Sequence, residues 1–328
     1  MNDIISQFST LKIAKFRITL QTQSEAVLPA LIGSTLRGAF GHALKAISCC
    51  VPHKNCEICF LSTACLYTTV FEPTSAKLKD LPRPFVFEPP IPPITREISA
   101  NSNLKLRVKA GGKVSFDFIL LGEAIGKLAY FIYAFELLAR HGLGVERQPF
   151  KISEVLAVDA NDSTTKIYTP DETKISPYPL FDLGLYVKNR LTDFAGAKSI
   201  GISPQTPLRI RRNKQLLEKI SFVEFFKQSS LRVKLIYENY ASGLEYDYAD
   251  LMNKAESVAI KQDNLWRHNF TRRTNRQKTN LDLDGMLGNI SYAGKNLEDF
   301  LPYIIAGEVL HIGSASSLGL GKFGSAGC

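Results

Sequence analysis

A chain of 328 residues is about twice the usual length of one domain, so two domains are expected, and 45% hydrophobic with 22% charged residues is the usage of an ordinary globular protein rather than of a disordered or repetitive one. A net charge of +9 and a pI near 9.2 draw the surface toward polyanions, and the lack of a long basic amphipathic helix with bulky anchors favours nucleic acid over a membrane. No run of eighteen apolar residues occurs and Asp3 stands where a signal peptide would be basic, which excludes a helical membrane span and leads us to expect a cytoplasmic protein with no membrane partner.

In chain order, Leu11 to Leu20 alternates as a first strand, and Ser34 to Ile47 places Leu36, Phe40, Ala43, Leu44 and Ile47 on one helical face. Six prolines between Leu81 and Pro93 predict an extended surface crossing, because proline removes a ladder donor and fixes its own φ. Val114 to Leu121 reads as a strand, Glu123 to Arg140 as a helix ended by His141-Gly142, and Lys151 to Val158 as a further strand. The polar stretch Asp159 to Pro179 reads as a linker or long hairpin tip, which puts the domain boundary at 160/161. Beyond it, strands are expected at Leu208 to Arg212 and Gly285 to Tyr292, and helices at Lys214 to Lys227, Leu231 to Tyr240 and Leu297 to Gly307. Each half thus suits an α+β, split βαβ, ferredoxin-like pattern, with a cysteine-bearing insertion at 49–65 in the first and a glycine-rich loop at 311–324 in the second.

Four groups of residues carry chemistry. Cys50, Cys56, Cys59 and Cys65, with Cys49 adjacent and His53 between, provide four soft donors that can wrap a structural zinc; four thiolates leave no open position for catalysis, and an iron-sulfur cluster is the alternative. Buried cysteines without a metal are the plainer reading, and disulfides are disfavoured in a cytoplasmic chain. Gly33 to Leu44 lets a helix approach its neighbour closely and sets Arg37 and His42 about 140° apart around the axis, so both cannot face the core. Lys261 to Lys278 interleaves Arg267, His268, Arg272, Arg273, Arg276 and Gln277 with Trp266 and Phe270 against one acid, Asp263. Guanidinium groups pair with phosphate, aromatic faces stack on unpaired bases and amides read base edges, so this mixture reads as RNA contact rather than a solvated face. Finally, His311 to Gly324 contains Gly313, Gly319, Gly321 and Lys322, whose backbone amides and one cation can surround a phosphate oxygen. A dinucleotide site there is disfavoured because no helix-forming stretch follows the glycines and the Walker lysine-serine pair is missing; a tight turn before a last strand is the structural alternative.

Taken together, Gly33 to His42, the cysteine group, Tyr67 and Val70-Phe71-Glu72-Pro73, His141 to Arg147, Arg272-x-Thr274-x-Arg276-Gln277, Asp284 to Gly288 and the terminal glycine loop resemble the CRISPR-associated repeat-processing endoribonucleases of the RAMP superfamily. The resemblance covers roughly the first half and the last fifth of the chain. It implies two tandem ferredoxin-like domains and a glycine-rich loop gripping RNA. It also implies cleavage of precursor RNA within repeats by the substrate's own 2′-hydroxyl without a catalytic metal, leaving a 2′,3′-cyclic phosphate, with the guide RNA retained for an effector complex. His42 stands at the family's catalytic helix position, His311 is the second candidate, and Lys45, Lys322 or an arginine would steady the phosphate, with Arg37 a further RNA contact. Many relatives have an aromatic residue at Arg273 and Gly-Lys-Gly where this chain has Gly313-Ser314-Ala315. The rival readings are a non-cutting RNA-binding RAMP subunit and a redox or dinucleotide protein built on the cysteines.

Overall fold

The computed structural model describes residues 2–51, 55–73, 81–91, 95–96, 105–144, 146–273 and 280–328. A short helix, α1 (Asn2–Phe8), belongs to the unit built chiefly from Asp182–Cys328, whereas Lys12–Pro90 and Lys105–Phe181 form the other unit. The boundary therefore falls at 181/182 rather than 160/161. The reason lies in the polar stretch read as a linker, which contains a strand.

The first unit runs β1 (Ile13–Thr22), β2 (Ala26–Pro29), α2 (Gly33–Ser48), β3 (Phe85–Glu88), β4 (Lys105–Val108), β5 (Lys113–Leu121), α3 (Leu128–His141), β6 (Phe150–Val158) and β7 (Thr164–Tyr168). Its main sheet has the order β3-β5-β1-β6-β7 with every pairing antiparallel. The strands β1, β3, β5 and β6, with α2 and α3 at the two crossovers, form the split βαβ ferredoxin-like unit, to which β7 adds an edge. Strand β3 lies inside the segment expected to be a surface crossing. Its prolines flank Phe85–Glu88 without entering it, so all four residues keep their ladder donors, and all four are buried. One face of β1 packs Phe16, Ile18 and Leu20 under the helices around Phe40, whose ring stacks on Phe135 at 4.9 Å. On its other face Lys15 ion-pairs with Glu88 at 2.7 Å and Asp117 at 3.3 Å, so the charges in this strand are paired rather than merely solvated.

The second unit continues with α4 (Leu183–Leu191), β8 (Ser199–Pro204), β9 (Arg211–Arg212), β10 (Gln215–Leu216), α5 (Phe222–Tyr240), α6 (Tyr248–Ala255) and β11 (Ala259–Asp263). Then come β12 (Trp266–His268), β13 (Thr271–Arg273), β14 (Asn280–Asp282), β15 (Gly285–Leu287), β16 (Ile290–Ala293), α7 (Leu301–Leu310) and β17 (Phe323–Gly327). The sheet order β11-β16-β8-β17 repeats the ferredoxin-like arrangement of the first unit. Between its second and third strands the chain extends as a long hairpin, with β12 paired to β15 and β13 to β14. Of the helix expected from Lys214 to Lys227 only the part from Phe222 forms: Asn213 and Lys214 take positive φ in the β9-β10 turn, and α5 starts only after Ser221, whose hydroxyl caps the Glu224 amide. The segment read as a separate helix from Leu231 is the continuation of α5. The strand read from Gly285 to Tyr292 is likewise two strands, broken at Gly288, where φ is 107°.

Candidate functional site

Helix α2 presents a stripe at positions 37, 41 and 45 to a single π-helical turn, Tyr67–Phe71. Gly41 makes this approach possible, because a Cβ there would stand 2.3 Å from Cζ of Phe71. On either side of it the guanidinium of Arg37 lies 4.4 Å from the Phe71 ring centre and the ammonium of Lys45 lies 5.3 Å from that of Tyr67. Each such cation-ring contact is worth roughly 0.5–1 kcal/mol at a partly exposed site and limits where the charge can go. His42 is exposed and sits about 60° around the helix from Lys45, away from the core face of Leu36, Phe40, Ala43 and Leu44. An imidazole on a rigid helix thus stands three residues from a lysine, and groups of these two kinds can exchange a proton and stabilise charge on a phosphate.

The terminal loop differs from expectation. His311 ends α7 with φ of 54° and is fully buried, with Nδ1 3.2 Å from the carbonyl oxygen of Leu320; since a carbonyl only accepts, Nδ1 donates. It serves as a pin across the base of the loop and is not presented to a substrate, so the placement of His311 as a second catalytic candidate is corrected. Gly313, Gly319 and Gly321 all adopt positive φ, and a Cβ on Gly321 would stand 1.8 Å from the carbonyl oxygen of Ile312. The amides expected to be bare are largely occupied: Ser314 donates to Arg209, Gly321 to Pro207, Gly319 to Ser316 and Lys322 to the Thr206 hydroxyl. Ser314 is exposed, with Gly313 and Lys322 partly so. Two residues that carried no sequence signal build this loop. Arg209, buried, reaches the carbonyl oxygens of Asp284 and Asp282, and Arg232 donates to the carbonyl oxygens of Leu310 and His311 at the end of α7. Arg209 stands in a basic run, Arg209 to Arg212, of which it is buried while Arg211 and Arg212 are exposed.

The basic segment forms the long hairpin, but its residues have different fates. Arg267 donates to Glu218 at 2.9 Å and to Asp284 at 2.6 Å, so its charge is neutralised by acids distant in sequence. His268 is 5% exposed between Trp266 and Phe270, and burial pushes its pKa down; it is a packed residue rather than an RNA contact. The backbone of Arg272 and Arg273 lies in β13, while Arg276 and Gln277 fall outside the described residues.

The five cysteines from Cys49 to Cys65 are free thiols and line one cavity of about 460 Å³ together with Lys45, Tyr67, Lys127 and Tyr130. A tetrahedral zinc about 2.3 Å from each sulfur holds the sulfurs roughly 3.8 Å apart. Among the described residues no three His, Cys, Asp or Glu side chains gather so as to hold one ion. The single zinc expected on Cys50, Cys56, Cys59 and Cys65 thus has no support among the described residues, and no chemistry is derived from it. Also among the described residues, no helix is long and apolar enough to cross a membrane.

Residues 11–180 match the family domain described as AF_1859_N, N-terminal domain, and residues 202–323 match that described as CRISPR-associated endoribonuclease Cas6. An uncharacterized protein of Archaeoglobus fulgidus is 24% identical over 300 residues, covering 90% of this chain and 92% of its own. Among solved structures, a partial Cas6-RT-Cas1–Cas2 complex superposes with a TM-score of 0.60 at 11% identity, over 98% of this chain and 47% of that one, so this chain spans under half of that larger protein. A Cas6 product complex from Thermus thermophilus gives 0.51 at 12% identity, over 95% and 98% of the two chains. The structural likenesses carry the tandem ferredoxin-like fold, which the two sheet orders show independently. One family domain lies on each side of the 181/182 boundary: the chain belongs to the family of the AF_1859_N domain, which matches over half of its length, and its second unit carries a domain that matches the CRISPR-associated endoribonuclease Cas6.

Proposed function

We propose that this chain cleaves CRISPR precursor RNA within its repeats, by attack of a substrate 2′-hydroxyl on the neighbouring phosphorus, and keeps the product as guide RNA. In that step the 2′-oxygen forms a bond to phosphorus as its proton leaves to a base, the bond from phosphorus to the 5′-oxygen breaks, and the 5′-oxygen takes a proton. The products are a 2′,3′-cyclic phosphate and a 5′-hydroxyl, and no metal is required at any point. The observation that carries this reading is the exposed His42 on α2 with Lys45 beside it. Histidine exchanges protons near neutral pH, and an ammonium next to the phosphate stabilises the charge that develops in the transition state. The structural relatives, a Cas6 product complex and a Cas6 assembly with Cas1–Cas2, support RNA and other CRISPR-associated proteins as partners.

The test is single-turnover cleavage of repeat RNA in EDTA, with a matched substrate carrying a 2′-deoxy nucleotide at the cut. Cleavage of the first and none of the second is expected. Cleavage that needs a divalent ion, or that survives the 2′-deoxy change, overturns the mechanism. Tight binding without any cleavage would instead favour a non-cutting RNA-binding subunit.

A further inference from the structure

The nuclease reading makes no use of the densest group of nucleophilic side chains in the molecule, the thiols around the cavity at the end of α2. They come from three local structures. Cys49 terminates the helix, its amide donating to the Lys45 carbonyl at 2.9 Å. Cys56 and Cys59 stand at the ends of one turn, closed by the Cys59 amide on the Cys56 carbonyl at 3.4 Å. Cys65 immediately precedes the helical turn that carries Tyr67, and its amide donates to Leu61. All of them face a common cavity, none is paired in a disulfide, and no three gather on a single point.

Thiols that line one space without converging suit a ligand larger than one ion. A cavity of about 460 Å³ is many times the roughly 30 Å³ taken by a water molecule, so it has room for such a group. Its walls include Ile47, Leu61 and Leu66, which make part of the lining apolar, while Lys45 and Lys127 bring positive charge to it. An iron-sulfur cluster matches each of these properties: in a four-iron cubane every thiolate binds a different iron and in a two-iron cluster two thiolates share each iron, so no three sulfurs converge on one point, and with four thiolates the whole group is anionic. The spacing also agrees, because Cys50-x5-Cys56-x2-Cys59 with a more distant Cys65 lies one residue from the C-x4-C-x2-C…C run of plant-type clusters.

We propose that Cys56, Cys59, Cys65 and one member of the Cys49-Cys50 pair hold an iron-sulfur cluster. Its role is to staple the cysteine loop to the end of α2 and to the turn that carries Tyr67, which fixes the helix bearing His42 and Lys45. This does not depend on the nuclease reading, since the readout is the metal and not cleavage.

The full chain is to be expressed and purified without oxygen, then reconstituted with ferrous iron and sulfide and analysed for iron, acid-labile sulfide and zinc. The expected result is about four irons and four sulfides per chain for a cubane, or about two of each for a two-iron cluster, with broad visible absorption. Cys56→Ala and Cys65→Ala should each lose most of the iron and the absorption, as should only one of Cys49→Ala and Cys50→Ala, while Cys328→Ala keeps both. Zinc near one equivalent with no iron, no metal at all, or undiminished iron in Cys56→Ala and Cys65→Ala would overturn the proposal. Should those variants fail to fold, the stoichiometry of the native chain decides by itself.

Discussion

Helix α2 and the terminal glycine loop carry the first and the second catalytic candidate of the sequence, yet the fold treats the two histidines in opposite ways. His42 is exposed on a regular helix whose neighbouring cations are positioned by aromatic rings. His311 is enclosed, its ring donating across the loop and its backbone carbonyl accepting from Arg232. A motif shared with a family thus names a position without saying whether its side chain reaches solvent. For the helix, burial follows from a 100° step that can be counted; for the loop, it depends on what distant segments cover.

The largest effect should separate these two residues. His42→Ala is expected to lower the single-turnover rate by roughly a hundred to ten thousand fold with RNA affinity nearly unchanged. His311→Ala should instead lower the melting temperature, with a slower rate only as far as the fold is lost. Stopped-time cleavage, binding and thermal unfolding of both variants check this, and a slow His311→Ala of native stability would reverse the comparison.

The loop's rigidity can be tested at Gly321. A methyl group there meets the Ile312 carbonyl, and φ of 76° is strained for alanine, so Gly321→Ala should cost about 1–3 kcal/mol in denaturant unfolding. Glycine 126, with open space around its Cβ position, is the control at which alanine should cost nothing by contact.

Within the basic hairpin, Arg267 and Arg272 should behave differently. Arg267 already pairs with Glu218 and Asp284, so Arg267→Ala should leave the salt dependence of RNA binding almost unchanged. If Arg272 contacts a phosphate, Arg272→Ala should flatten the slope of log K against log salt by about 0.7, the value for one contact to a single strand. Equal slopes for the two variants would show that ion pairing does not sort these arginines.

The smallest effect is a pH dependence. Burial depresses the pKa of His268 from its ordinary 6.5, so the unfolded chain takes up this proton first as pH falls. The stability contributed by the neutral ring is complete above 6.5 and is lost as pH drops from there through the depressed value. Unfolding midpoints between pH 7.5 and 5 should fall for the native chain and fall less for His268→Phe.

Much of the architecture was legible in the sequence because its strands and helices bury one periodic face, as in α2, α3, β5 and β6. Strand β3 was not, since the prolines around Phe85–Glu88 dominate the local signal while the pairing that makes it a strand is with β5, far along the chain. The start of α5 was not legible either, since the charged run from Lys214 reads as helix and masks the cap that Ser221 forms with Glu224.

By itself the sequence determined the tandem α+β pattern, the basic surface and the clustering of the thiols, because each depends on composition or on neighbours a few residues apart. Only the tertiary structure decided that the polar stretch after 160 contributes an edge strand, that Arg267 is neutralised by Glu218 and Asp284, and that His268 and His311 are enclosed. It alone brought Lys127 and Tyr130 to the cysteine cavity. The physical reason is that burial and charge pairing are properties of groups brought together across dozens of residues, while periodicity registers only the face a segment offers and not what comes to lie against it.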